Sequence, residues 1–257
     1  MQFGICLLNI VPLRKEASDR SEMISQVLFG ERFQILDKNS KWSLIRLTDD
    51  LYEGWIDNKQ FEPITAKLYN QIEKLYPIYS AEFIDFIKLK NSQLAVLSMG
   101  ANLPLFGEGI LNVNQHQFEY DGATFKGKLP KSNVINIALM YLNTPYLWGG
   151  KSPFGIDCSG LTQMVYKICG YLLPRDAYQQ AMQGATLNFL EECEPGDLAF
   201  FDNEAGSIIH VGILMGNDQI IHASGKVRID LIDHSGIFNQ ETKQHTHKLR
   251  LLKRIIN

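Results

Sequence analysis

From Lys131 onward the chain changes texture, and that change constrains the fold more than any other feature. Ahead of it, short apolar runs alternate with polar or glycine-containing turns. Gly4–Val11, Phe33–Leu36, Trp42–Leu47 and Tyr52–Ile56 read as strands, with Trp42 and Trp55 in a small barrel core. Residues 64–79 carry Leu68, Ile72 and Leu75 at helical spacing and reach Pro77, and short strands resume from Leu94. Behind the change, Val134, Ile137, Ala138, Tyr141 and Leu142 fall at helical spacing after Ser132, a residue suited to an N-cap. A second helix is predicted from Cys158 to about Cys169, closed by Gly170. Strands follow at Leu198–Phe201, at Ile208–Met215 and Gln219–Ala223 around a turn at 216–218, and in the closing run from His247. Helices first and an antiparallel sheet after them is an α+β layout. Three segments are expected: a small β-barrel over 1–62, a β-rich module over 63–130, and the α+β domain over 131–257.

Composition narrows the functional classes. The 257 residues include 25 basic and 28 acidic side chains, a net charge of -3, so no general basic field draws in nucleic acid or anionic membrane. No apolar stretch approaches the roughly 20 residues that span a bilayer. The N-terminal apolar run has no basic residue ahead of it, and Asn9 and Pro12 interrupt it; it reads as a first strand rather than a signal peptide. Four cysteines without a CxxC pair form no disulfide framework, which fits a reducing, cytoplasmic setting.

The chemistry concentrates between Tyr146 and Gly160 (YLWGGKSPFGIDCSG), where a loop dense in glycine and proline delivers Cys158 to a helix start. The positive end of the helix and its unpaired N–H groups favour thiolate, lowering a pKa that starts near about 8.5. The same N–H groups suit a developing oxyanion. The competing reading is a buried small residue, like Cys169 further along the helix. In the following hairpin, pairing 215 with 219 and 212 with 222 puts His210 and His222 on one sheet face, roughly 7–8 Å apart. One imidazole can then take the thiol proton while the other fixes its tautomer. Each histidine alone also reads as a satisfied core residue. A zinc site of Cys158, His210 and His222 is a further competitor, although no second cysteine lies close in sequence. His245 and His247 alternate along a strand and read as solvated, as do Lys248, Arg250, Lys253 and Arg254 on the same run.

These residues carry a resemblance. YLWGG at 146–150, DCSG at 157–160, PRDA at 174–177, PGDLAFF at 195–201, HVG at 210–212 and IHA at 221–223 resemble the NlpC/P60 family of cysteine peptidases over residues 131–257. The resemblance implies a papain-like α+β core, no cofactor and no bound metal. It implies Cys158 as nucleophile, His210 as general base and acid and His222 as orienting third member, with Tyr146 beside the nucleophile, and Tyr146, Asp157 and Ser159 are expected to bind substrate. Residues 1–62 resemble a bacterial SH3 domain, through Leu13-Arg14 and the terminal Gly54-Trp55-Ile56, and 63–130 is expected to be a second, degenerate SH3-like module. Such modules ahead of the catalytic domain resemble the γ-D-glutamyl-L-diamino-acid endopeptidases of murein peptide recycling. That subgroup implies a murein peptide substrate, L-Ala-γ-D-Glu-diamino acid, with Glu22, Tyr52 and Asp176 holding its free amine. Ala177 stands where relatives often carry serine. A monomer is expected, with neither nucleic acid nor membrane as partner. Cleavage at the muramoyl–L-alanine bond, or a non-catalytic wall-binding SH3 protein, stand as alternatives.

Overall fold

A computed structural model of the chain describes residues 1–256, so that Asn257, the end of the expected third segment, lies outside them. The chain divides into two compact units, Met1–Lys128 and Leu129 onward.

The N-terminal unit is almost entirely β. Strands β1 (Gln2–Ile5), β2 (Ile10–Arg14), β3 (Met23–Leu28), β4 (Arg32–Lys38), β5 (Trp42–Leu47), β6 (Glu53–Asp57) and β7 (Glu62–Ile64) form one antiparallel sheet in the order β3-β2-β6-β5-β4-β1-β7. The expected strand Gly4–Val11 is two strands. Between them, Asn9 turns the chain and accepts from Phe29 N–H and the Ser98 hydroxyl. Val11, Leu13, Val27, Phe33, Ile45 and Ile56 fill the sheet's core. Trp42 is buried, as expected, but outside that cluster, whereas Trp55 is only half-buried.

Helix α1 (Ala66–Glu73), capped by the Thr65 side chain, is shorter than the periodicity predicts. After it come β8 (Ile78–Ser80), β9 (Ile84–Leu89), β10 (Leu94–Ser98), β11 (Ile110–Val113), β12 (His116–Glu119) and β13 (Thr124–Lys126). Four of these strands pair in the order β10-β9-β12-β11 around Ile87, Leu97, Leu111 and Phe118. Phe29, which follows β3, enters that second core and meets Phe118 edge-on at 5.4 Å. The two β modules therefore share apolar packing within one unit.

The C-terminal unit opens with α2 (Asn133–Met140); Ser132 precedes it, but its side chain makes no cap hydrogen bond. The short strands β14 (Lys151–Ser152) and β15 (Gly155–Ile156) lead into α3 (Cys158–Ile168), which is buried along its whole length. Gly170, at φ 83°, ends that helix as the sequence predicts. Then follow α4 (Ala177–Gln180), β16 (Ala185–Leu187), β17 (Leu198–Asp202), β18 (Ile208–Gly216), β19 (Gln219–Ser224), β20 (Lys226–Asp233), β21 (Gly236–Asn239) and β22 (Gln244–Arg254). Consecutive antiparallel pairing runs from β17 to β21, and β22 pairs with both β21 and β17, closing a barrel; β16 adds to β22 outside that circuit. The helices-then-sheet order is as expected, and the closure is a feature the sequence pattern did not suggest. Arg254, expected on a solvated face, instead reaches the fully buried Asp197 at 2.8 Å. Cys6, Cys158, Cys169 and Cys193 are all free thiols, and no helix among the described residues is long and apolar enough to cross a membrane.

Candidate active site

The loop before α3 is rigid for a local reason. The Asp157 carboxylate caps the helix by accepting Gly160 N–H at 2.7 Å and reaches back to Gly149 N–H at 2.8 Å. Gly160 must be glycine, because a Cβ there would overlap the Gly150 carbonyl oxygen. Arg175, 1% exposed, donates to both Asp157 oxygens at 3.0 and 2.6 Å and to Ser159 Oγ at 3.0 Å. Asp157 and Ser159, expected to bind substrate, are instead buried in an internal network that holds the helix start under Cys158. Asp176, beside Arg175, flanks α4 with its carboxylate half-exposed, and its own N–H donates to Gln179 Oε1 at 3.2 Å.

Helix α3 packs against β18, and the N–H groups of Val211 and Ser159 face the Cys158 sulfur. These donors and Arg175 favour thiolate. Burial outweighs them, with the Asp157 carboxylate adding to it, and pushes the Cys158 thiol up to about 12. The lowered pKa expected from the helix start is therefore corrected: at 7% exposure the loss of hydration exceeds what the helix terminus returns. Tyr146 is half-buried beside this centre and is itself pushed up to about 12, first by burial and then by the Cys158 and Asp157 charges.

The hairpin keeps the expected pairing of Gly212 with His222, but the turn is tighter than expected. Asn217 and Asp218, at φ 51° and 57°, form a two-residue turn, and Gly216 rather than Met215 faces Gln219 across a bulge. On the far side of β19, His222 pairs with Arg228 and Ile220 with Asp230; further on, Ile237 of β21 pairs with His247 of β22. His210, His222, Asp230 and His247 consequently share one face of the closing sheet.

Their rings are much closer than the flat-ladder expectation. His210 Nε2 lies 2.8 Å from His222 Nδ1, and His222 Nε2 lies 3.1 Å from Asp230 Oδ2. Arg228 pairs with both carboxylate oxygens of Asp230, at 2.7 and 3.0 Å. Burial raises the Asp230 carboxyl, but hydrogen bonds from His222 and Arg228 outweigh it and keep its pKa low. An ionised carboxylate only accepts, so a neutral His222 carries its proton on Nε2 and accepts at Nδ1. His210 must then donate from Nε2, which leaves Nδ1 as its acceptor. Burial, then His247 and His222, hold the His210 pKa well below 6.5, so this ring is neutral at pH 7.

His247 corrects a second expectation. It is half-buried, its ring stacks on His210 at 4.1 Å, and burial takes its pKa down to about 4; His245, by contrast, is exposed. The nitrogens of His210, His222 and His247 form the one three-residue ligand set among the described residues, and the Cys158 thiol is not in it. Sequence reasoning missed Asp230, Arg228, Arg175 and His247. Of these only Arg175 sits inside a quoted motif.

In the N-terminal unit, Glu22 stands at the turn into β3 and pairs with Lys15 at 3.5 Å. Tyr52 is half-buried against the first core, just before β6.

Residues 143–248 match the NlpC/P60 family, and residues 13–61 match the bacterial dipeptidyl-peptidase Sh3 domain. The chain therefore carries an NlpC/P60 hydrolase domain joined to a bacterial SH3 domain. It is 27% identical over 229 residues to a gamma-D-glutamyl-L-lysine dipeptidyl-peptidase of Bacillus cereus, covering 80% of this chain and 68% of that one. Dipeptidyl-peptidase 6 of Lysinibacillus sphaericus is 28% identical over 257 residues, covering 90% of this chain and 92% of the relative. The crystal structure of an NlpC/P60 family protein from Bacillus cereus shares the fold, with a TM-score of 0.83 at 19% identity, covering 99% of this chain and 100% of that one.

Proposed function

We propose that this protein is a cysteine peptidase that hydrolyses the γ-D-glutamyl bond to a diamino acid in murein peptides with a free N-terminal L-alanine. The observation that carries the reading is the chain Arg228–Asp230–His222–His210, which sets the tautomer of an imidazole on the strand lying against the Cys158 helix. His210 Nδ1 takes the Cys158 proton as the sulfur attacks the γ-carbonyl, and the N–H groups at the start of α3 stabilise the oxyanion. His210 then returns that proton to the departing amine, leaving a thioester. A water, deprotonated by the same Nδ1, hydrolyses it and regenerates the thiol. Both groups are neutral at rest, so charge develops only as the substrate reacts.

The named peptidase relatives support the substrate class. Recognition of the amine by Glu22, Tyr52 and Asp176, with Tyr146 on the substrate beside Cys158, follows the resemblance. Asp157 and Ser159 act through the frame that holds the helix start. Action on released peptides, in recycling within the cytoplasm, and as a monomer, is part of the proposal. The test is to incubate the protein with L-Ala-γ-D-Glu-diaminopimelate, its N-acetylated form and the L-lysine analogue, and to identify products by mass. Release of L-Ala-D-Glu from the free peptide, with an N-acetyl penalty of about a hundredfold that shrinks in Glu22→Gln, supports the reading. Cleavage only at the muramoyl–L-alanine bond of a muramoyl peptide assayed alongside them would replace it, and absence of thiol-dependent turnover would leave a binding protein.

A further inference from the structure

We infer that the barrel face carrying His210, His222 and His247 is a binding site for a divalent transition-metal ion of the zinc type, and that an ion bound there switches the thiol chemistry off. The three ligand nitrogens lie within 4.8 Å of one another, each from a different strand, so barrel closure holds them together. Imidazole donors without carboxylate oxygens in the set suit zinc, copper or nickel rather than magnesium or calcium. Zinc–nitrogen bonds of about 2.0–2.1 Å in a tetrahedron separate neighbouring ligands by roughly 3.3 Å. The His210–His222 nitrogens, at 2.8 Å, need to part only slightly, while His247, stacked on His210 at 4.1 Å, must turn its ring out of the stack to aim its lone pair at the same point.

Two ligands are already oriented by their outer nitrogens. His222 presents Nδ1 inward because its Nε2–H is held by Asp230, itself fixed by Arg228, the carboxylate support that metal-binding histidines commonly use. His247 has Nδ1 engaged by the Thr246 hydroxyl at 2.8 Å, which leaves Nε2 for the cluster. His210 is the ligand that must change. In the resting tautomer its Nε2 carries the proton, so binding metal at Nε2 moves that proton to Nδ1. No proton is gained or lost, but the acceptor for the Cys158 thiol disappears. Inhibition therefore comes from a tautomer shift and needs no metal–sulfur bond.

The binding claim stands independently of the proposed peptidase activity; only the inhibitory consequence rests on it. The experiment titrates zinc into the full chain at pH 7 against a chromophoric chelator, without substrate, and repeats it with magnesium. Wild type and Cys158→Ser should each bind one equivalent of zinc and no magnesium. His247→Phe keeps a ring against His210 but removes a ligand, and should bind more weakly by more than the ~10–100-fold that losing a ligand's supporting hydrogen bond costs. His247→Gln, checked by circular dichroism, gives the same result if the aromatic replacement disturbs the barrel. In the turnover assay, zinc should inhibit wild type, EDTA should reverse it, and the inhibition constant should rise in both His247 variants by the factor seen in binding. Zinc binding that survives both His247 substitutions, binding lost in Cys158→Ser, or no stoichiometric binding would each overturn the site. Tight binding without inhibition would overturn the switch.

Discussion

Replacing Arg175 with methionine isolates the electrostatic support of the helix start that carries Cys158, the proposed nucleophile. Methionine keeps the apolar stem in place and removes the guanidinium, so the Asp157 carboxylate, 5% exposed, loses the cation that pairs with it at 2.6 Å. Breaking a buried pair by deleting one member costs about 3–5 kcal/mol, because the remaining charge is stranded in low dielectric. Here Gly149 N–H, Gly160 N–H and the Ser159 hydroxyl still donate to Asp157, which places the expected loss near the lower end, about 3 kcal/mol. That corresponds to a fall of roughly 10 °C in the melting of the C-terminal unit. The companion Asp157→Asn/Arg175→Met double variant has no stranded charge, so it should melt above the Arg175→Met single variant, with a coupling of about 1–3 kcal/mol. The assay is thermal denaturation followed by circular dichroism, alongside urea titration. If the single variant melts with wild type, or the double variant loses as much as the two singles combined, Asp157 does not depend on Arg175 and the account of the helix start fails.

Other expectations follow from the relay and the thiol. Asp230→Ala frees the His222 tautomer and should lower kcat by about 10²–10⁴-fold with little change in KM, a split that steady-state kinetics reads directly. Because burial holds His210 well below 6.5, the acid limb of kcat/KM should lie below pH 6.5; a limb at or above 6.5 would show that the ring is not desolvated in the working enzyme. With the Cys158 thiol pushed up to about 12, iodoacetamide labelling without substrate should rise about tenfold per pH unit between 7 and 10. A plateau below pH 7 would reveal a standing thiolate–imidazolium pair instead. Cys158→Ser should abolish turnover, while Cys6, Cys169 and Cys193 should tolerate serine or alanine, as matched activity and melting measurements would show.

Which parts of this were legible in the sequence depends on how local each signal is. Cys158, Gly160 and Gly170 were readable because a helix start and stop are set by neighbouring residues. His210 and His222 were readable because a short hairpin leaves few possible registers. Asp230 was not: it sits in an ordinary strand, and only the β19–β20 pairing brings it to His222. His247 shows the limit of alternation as a guide, since the pattern gives the period of β22 but not which face the barrel turns inward. Arg175 lies in the PRDA stretch, but a buried arginine is recognisable only once its carboxylate, here Asp157, is in place. The thiol pKa went the other way from expectation because a helix terminus is visible in sequence and the depth of burial is not.

The closing strand has a consequence for how the molecule is made. β22 pairs with β16, β17 and β21, and it follows every other strand of the unit in the chain. During synthesis β17 therefore waits with one edge open until the ribosome has released β22, the segment that also delivers His247 and Arg254. The helix bearing Cys158 is complete long before that moment. The C-terminal unit should therefore acquire its closed barrel only after translation of β22, and a nascent chain stalled ahead of Gln244 should expose the β17 edge to chaperones and to pairing with other chains.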